Sequence, residues 1–270
     1  MPPFDIASLI PAVIEAGACT LAHRAAGVAA EAKSDQSPVT AADRDAEAIL
    51  LAALRYFAPT IPVVAEEEAA AGRIPAVDGP FFLVDPLDGT KEYVGGGDDF
   101  TVNVALIERG LPIAGIVYAP AQGAIWWGDV PHRLAQRGDV ENGVVARRHP
   151  ITVRPCGGRP RAVASKSHSN PATEAFLAAC ESQDRVSIGS SLKFVLLAEG
   201  TADLYPRPGP TMEWDTAAGH AVLAAAGGRV FDLDGGPLTY GKPRFFNPGF
   251  VACGPYQPPA LRPFMSGAGA

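Results

Sequence analysis

Phe81-Phe82-Leu83-Val84-Asp85-Pro86-Leu87-Asp88-Gly89-Thr90 joins an apolar run to a short acidic turn. The four apolar residues predict a buried strand. Pro86 restricts Asp85 to an extended backbone, and the strand is expected to end there. The turn then brings Asp88 back toward Asp85, with the Leu87 carbonyl between them. Gly89 permits a tight backbone with no side chain in the way. Hard cations such as Mg²⁺ take oxygen ligands, usually a few carboxylates completed by water and substrate phosphate. Two carboxylates and one carbonyl within four residues supply that donor set. A plainer reading makes Asp85 and Asp88 turn and cap residues. The apolar strand before them, and acidic residues elsewhere, shift the balance toward metal binding.

Before this segment, Ile6, Leu9, Ile10, Val13, Ile14 and Leu21 recur at helical spacing and predict a first helix over residues 6–30. A second helix is expected from near Thr40 until Pro59 stops it, with Ala42, Ala46, Ile49, Leu50, Leu54 and Phe57 on one side. Residues 61–65 read as a strand running into Glu66-Glu67-Glu68. After the segment, residues 101–107 and 113–118 read as an antiparallel pair around Arg109-Gly110-Leu111-Pro112, with another strand over 124–127. The second half reads as strands at 162–165, 203–205, 230–232 and 249–253, and helices at 171–180, 192–199 and 216–226. This mixture predicts sheets covered by helices. Residues 147–160, rich in Gly, Pro and Arg, mark the expected division between an N-terminal lobe (1–150) and a C-terminal lobe (151–260). Residues 261–270 read as a loose tail.

The 270 residues are 47% apolar, enough for a sizeable core. With 29 acidic against 22 basic side chains the net charge is −7, which argues against a nucleic-acid partner. An anionic substrate remains compatible, because bound metal supplies positive charge locally. Cys19, Cys156, Cys180 and Cys253 form no C-x-x-C pair and read as reduced thiols rather than a disulfide frame or a zinc site. A cytoplasmic location follows, with peripheral association at the inner membrane left open. No signal peptide and no integral membrane segment are expected.

Two further acidic positions stand where elements begin. Glu66 follows the apolar run at 61–65, and the bland alternative is a solvated acidic patch. Asp215, between Trp214 and Thr216, opens an alanine-rich helix, and the bland alternative is an N-cap. Thr40-Ala41-Ala42-Asp43 has capping-box spacing, with Asp in place of Glu. Asp43 either caps the helix or accepts a hydrogen bond from Thr90, whose oxygen then orients a water. Spacing alone leaves both open.

Val64-Ala65-Glu66-Glu67, the 85–90 segment and Glu213-Trp214-Asp215-Thr216-Ala217-Ala218-Gly219 together resemble the signatures of the inositol monophosphatase superfamily of Mg²⁺-dependent, Li⁺-sensitive phosphatases. Several stretches are similar to its bacterial 3′(2′),5′-bisphosphate nucleotidase branch: Ser37-Pro38-Val39-Thr40-Ala41-Ala42-Asp43, Ser165-Lys166-Ser167-His168, residues 187–194, Leu204-Tyr205-Pro206-Arg207 and Phe246-Asn247-Pro248-Gly249-Phe250. The resemblance implies an α/β layered αβαβα sandwich of the sugar-phosphatase type. It implies two or three Mg²⁺ ions held by Glu66, Asp85, the Leu87 carbonyl, Asp88 and Asp215, with Thr90 and Asp43 orienting the attacking water. It further implies substrate contacts from Gly89, Thr90, Ser190, Lys193, Arg207, His168 and Asp215. The expected partner is a small phosphorylated nucleotide, adenosine 3′,5′-bisphosphate, cleaved to AMP and phosphate; its 5′-phosphosulfate relative offers the same 3′-phosphate. Homodimer assembly is left open. Inositol monophosphate and fructose 1,6-bisphosphate are rival substrates within the superfamily. A non-catalytic metal- or nucleotide-binding protein is the rival from another class, disfavoured because a structural site needs no oriented water. From the residues alone, Lys193 reads as a solvated helix face and Arg207 as a surface loop residue.

Overall fold

The computed structural model describes residues 4–27, 30–32, 38–164 and 170–265. Ser37 and the stretch 165–168, including His168, lie outside them. In chain order the helices are α1 (Ile10–Ala26), α2 (Ala41–Phe57), α3 (Glu66–Ala70), α4 (Thr90–Val94), α5 (Pro171–Ala179), α6 (Leu192–Ala198), α7 (Trp214–Ala225) and α8 (Arg262–Met265). The strands are β1 (Ala30–Ala32), β2 (Pro38–Thr40), β3 (Val63–Ala65), β4 (Phe81–Asp88), β5 (Thr101–Glu108), β6 (Leu111–Ala119), β7 (Ala124–Asp129), β8 (Leu134–Glu141), β9 (Val144–Pro150), β10 (Ala162–Ala164), β11 (Arg185–Ser187), β12 (Leu204–Arg207), β13 (Thr211–Met212), β14 (Arg229–Phe231), β15 (Phe246–Asn247) and β16 (Phe250–Cys253).

Two sheets dominate. One has seven strands in the order β3-β4-β5-β6-β7-β8-β9, and the other five in the order β11-β10-β12-β16-β14. The larger sheet packs one face on α1 and α2 and the other on α7, while α6 and α7 also reach the smaller sheet. On the far side of the smaller sheet, α5 packs on β12 and α8 on α5. The layers therefore run α, β, α, β, α, as expected.

Strand pleating explains the central run. Phe82 and Val84 enter the core against α1 and α2, whereas Phe81 and Leu83 enter the core between the sheets. With both faces covered, β4 has no solvent side, so its sequence is continuously apolar rather than alternating. Close approach of α7 requires small residues. A Cβ on Gly115 of β6 would lie 2.8 Å from the Ala218 carbonyl oxygen.

Three expectations are corrected here. The strand does not stop at Asp85: β4 continues to Asp88, and its pairing with β5 shifts register between those two residues. An extended conformation before proline is compatible with a strand, and the irregularity absorbs the missing N–H. Second, β8 and β9 were not anticipated, and residues 147–150 belong to β9 rather than to a connection. Third, the tail is anchored as far as Met265: Leu261 is buried, and Phe264 packs edge-on against Phe176.

The first helical stretch, Ile6–Ala26, is 21 residues long and apolar enough to cross a membrane by length and composition alone. In the fold it is a packed layer, with Ile6, Leu9, Val13 and Ile14 buried against α2 and the larger sheet. All four cysteines are free.

Candidate metal centre and anion cleft

Strand and helix ends assemble the acidic residues. Strand β3 runs parallel to β4 with Ala65 opposite Val84, so Glu66 and Asp85, the next residues on each, emerge side by side. Asp85 is buried; Glu66, Asp88 and Asp215 are partly exposed, as residues lining a crevice should be. Asp215 arrives from the middle layer on the first turn of α7. The N-cap of that helix is Glu213, not Asp215; Asp215 instead accepts the Met212 N–H at 2.8 Å.

The electrostatics are those of an under-neutralised acidic site. Burial, then Glu66, Asp88 and Asp215, hold the Asp85 carboxyl well above its ordinary range. Asp215 is raised likewise by burial, Asp88 and Glu66. Asp88 is raised by burial, but Lys193, the Ser190 hydroxyl and the Ser191 N–H oppose the shift. Crowded carboxylates that repel one another in a dry crevice are relieved by a cation. The donors are all oxygen, which suits a hard ion such as Mg²⁺ and not a thiophilic one. The residues present therefore fit the expected metal.

The two readings of Asp43 turn out to be compatible. Its Oδ2 accepts the Thr40 N–H at 2.7 Å, completing the capping box, while its Oδ1 lies 3.4 Å from Thr90 Oγ1. The single Thr90 hydroxyl proton has a second acceptor, the Leu87 carbonyl at 3.1 Å. Gly89, which caps α4, sits at φ 92°, and a Cβ there would lie 2.8 Å from the Asp99 carbonyl oxygen. Only glycine meets both demands without strain.

Ser190, Lys193 and Arg207 line the same cleft as Asp88 and Asp215. Lys193 is 6% exposed rather than on a solvated face. Burial pushes its ammonium down to about 8, a shift that Asp88 opposes and Arg207 reinforces. Its Nζ donates to the Ser190 carbonyl at 2.8 Å. Arg207 ends β12, and its Nε is buried without a protein hydrogen-bond partner. The Ser190 hydroxyl donates to Asp88 Oδ2 at 2.9 Å, so it is engaged with the carboxylate side of the cleft. Ser190 also holds a left-handed φ of 55°, an unusual conformation for a non-glycine residue.

Several contributors were not picked out from the sequence. Glu47 is buried on α2, one turn beyond Asp43, and its two oxygens accept the Glu67 and Glu68 N–H groups at 2.8 and 2.9 Å. Burial raises its carboxyl to about 7 despite those two amides. The Ser191 N–H donates to Asp88 Oδ2 at 2.5 Å, and its hydroxyl donates to Asn103 on β5. The signal was available in kind: Glu47 interrupts an apolar helix face, and Asn103 interrupts an apolar strand.

The chain matches the inositol monophosphatase family over residues 3–253. It is 46% identical over 220 residues to the 3′(2′),5′-bisphosphate nucleotidase CysQ of Escherichia coli (strain K12), covering 81% of this chain and 86% of that protein. CysQ of Haemophilus influenzae is 30% identical over 232 residues, 83% of each. Among solved structures, CysQ from Bacteroides thetaiotaomicron superposes with a TM-score of 0.76 at 33% identity, covering 92% of this chain and 96% of that one. Inositol monophosphatase from Anabaena gives 0.72 at 25%, covering 97% and 93%. Two independent kinds of likeness, of sequence and of architecture, thus coincide over nearly the whole length, and the chain belongs to the inositol monophosphatase family.

Proposed function

We propose that this protein is a Mg²⁺-dependent 3′(2′),5′-bisphosphate nucleotidase that hydrolyses adenosine 3′,5′-bisphosphate to AMP and phosphate, and that also accepts 3′-phosphoadenosine 5′-phosphosulfate. One observation carries the reading. The crevice is lined both by Asp88 and Asp215, which Asp85 and Glu66 crowd from behind, and by buried Lys193 and Arg207, whose Nε has no protein hydrogen-bond partner. That pairing suits a substrate with two anionic groups, one on the acidic wall through metal and one on the basic wall. Inositol monophosphate has nothing to offer the basic wall.

Glu66, Asp85 and the Leu87 carbonyl would hold one Mg²⁺, and Asp85, Asp88 and Asp215 a second; when bound, the metal acidifies water and neutralises charge developing on the leaving oxygen. The other steps belong to the protein. The Leu87 carbonyl and Asp43 Oδ1 both lie within reach of the Thr90 hydroxyl proton, and were the carbonyl to hold metal, Asp43 Oδ1 would be the acceptor left to it. Thr90 Oγ1 is then fixed as an acceptor for the attacking water and aims it at phosphorus. The N–H groups of Gly89 and Thr90 face the transferred phosphate, and Asp215 takes a second role toward the sugar. Lys193 and Arg207, with Ser190 behind them, hold the 5′-phosphate. Product analysis tests the regiochemistry: the nucleoside product is 5′-AMP, and accumulation of 3′-AMP would reverse the assignment of the two walls.

Lys193 makes the substrate preference pH-dependent. With its ammonium near 8 in the free enzyme, protonation is lost as pH rises through that value. The expected result is that kcat/KM for the 3′,5′-bisphosphate falls above about pH 8 relative to kcat/KM for a simple monophosphate. Lys193→Met flattens that ratio. An unchanged pH profile in the variant would assign the ammonium no part in binding the second phosphate.

Glu47 is a positioning residue. Its carboxylate fixes the backbone that carries Glu66, from the same helix that carries Asp43. Glu47→Gln sets an amide N–H against a backbone N–H. Mg²⁺ affinity, followed by titration of thermal stability as well as of activity, is expected to weaken about 10–100-fold. Identical Mg²⁺ titrations for variant and wild type would remove this role.

A further inference from the structure

The seam between α1 and α2 carries metal-binding chemistry that the phosphatase reading leaves unused. Cys19 and His23 stand one turn apart on α1, on the same face, and Asp45 comes from α2 across the seam. His23 Nε2 lies 2.8 Å from Asp45 Oδ2. The thiol sulfur, an imidazole nitrogen and a carboxylate oxygen all fall within 4.8 Å of one another. A tetrahedral Zn²⁺, with bonds of about 2.0 Å to nitrogen or oxygen and 2.3 Å to sulfur, keeps its ligand atoms roughly 3.3–3.7 Å apart. The 2.8 Å contact and the 4.8 Å limit bracket those separations.

The surroundings favour a cation. Glu15 and Asp45 both act on the Cys19 thiol to raise it, in addition to its burial. Arg24, next to His23, is turned away to the Gly97 carbonyl and Asp98. The His23 and Asp45 side chains are 34% and 61% exposed, so the cluster is open to solvent.

We propose that Cys19, His23 and Asp45 form a second metal site, distinct from the all-oxygen crevice, for a borderline-soft divalent cation of the Zn²⁺ or Co²⁺ kind. Sulfur and imidazole ligands select such ions over Mg²⁺. Binding expels one proton, from the Cys19 thiol to solvent. The neutral imidazole moves its proton from Nε2, where it is donated to Asp45, to Nδ1, and the freed Nε2 lone pair binds the ion. The ion then staples α1 to α2 two residues beyond Asp43.

The cobalt spectrum separates this site from the crevice, because thiolate-to-metal charge transfer requires a cysteine ligand. With Mg²⁺ saturating, Co²⁺ added to the full-length protein is expected to produce that absorption and to saturate at one equivalent. Cys19→Ser abolishes the band while Mg²⁺-dependent phosphatase activity is retained, and Cys180→Ser keeps it. His23→Ala weakens Co²⁺ binding about tenfold or more, and serves as the test if Cys19→Ser does not fold. Absence of the band in the wild type, its persistence in Cys19→Ser, or unchanged binding in His23→Ala would overturn the proposal.

Discussion

Asp88→Asn is expected to lower Mg²⁺-dependent phosphate release by about 10³-fold or more at saturating Mg²⁺, equivalent to roughly 4 kcal/mol in the barrier. The substitution is nearly isosteric, and the Ser190 hydroxyl and Ser191 N–H still find an amide oxygen at the position of Oδ2. What it removes is the charge. The same loss carries an opposite effect on stability. The Asp88 carboxyl is raised above its ordinary value of 3.8, so the native state binds more protons than the unfolded chain just above that pH. Its contribution to metal-free stability therefore falls as pH rises from 3.8 through the native value, and stays low beyond it. With metal stripped by a chelator at neutral pH, the Asn variant is expected to melt above the wild type. An active site that gains stability when its function is removed is a site kept strained for a ligand. Wild-type turnover in the variant, or a lower melting temperature with metal removed, would contradict this account of the crevice.

Thr90→Ala is expected to reduce kcat by about 10²–10³-fold, with KM for the nucleotide changed little. The hydroxyl touches Leu87 and Asp43, and not Lys193 or Arg207, the residues proposed to hold the second phosphate, so substrate binding is expected to survive its loss. Folding is expected to survive too, because Asp43 Oδ2 keeps its capping contacts to Thr40 when Oδ1 loses Thr90. Asp43→Asn separates the two duties. Turning its amide nitrogen toward Thr90 preserves the cap and leaves the hydroxyl proton with the Leu87 carbonyl alone. Steady-state kinetics on both variants distinguish aim from affinity: a loss confined to KM would make Thr90 a binding residue and leave the water unassigned.

How much of this was legible follows from what each residue depends on. The 85–90 turn was readable because its donors are contiguous and its glycine is required locally, by a positive φ and a close carbonyl. Proline was over-read: it constrains the residue before it to an extended backbone, which a strand with an irregular register tolerates as well as a strand end does. Strands β8 and β9 escaped because they close one end of the larger sheet, with β9 as its edge strand. Arg147, Arg148 and His149 face solvent there, and no apolar period marks them. Lys193 carried no sign of burial in its sequence. Its environment is made by Asp88 from β4 and by Tyr205 and Arg207 from β12. Glu47 is the instructive omission. Its position, four residues after Asp43 on a helix whose buried face is otherwise largely apolar, marks it as a buried acid with a task. The task itself, holding the backbone beside Glu66, appears only when α2 is laid against α3.

The central claim is that one crevice joins a Mg²⁺-binding acidic wall to a basic wall for a second phosphate. The most direct measurement compares phosphate release from adenosine 3′,5′-bisphosphate, inositol 1-phosphate and fructose 1,6-bisphosphate, with Mg²⁺, without it, and with added Li⁺. The account predicts strict dependence on Mg²⁺, inhibition by Li⁺, and kcat/KM highest by a wide margin for the nucleotide. Equal or better turnover of inositol 1-phosphate would refute the basic wall, and release of phosphate in the presence of a chelator would refute the acidic one.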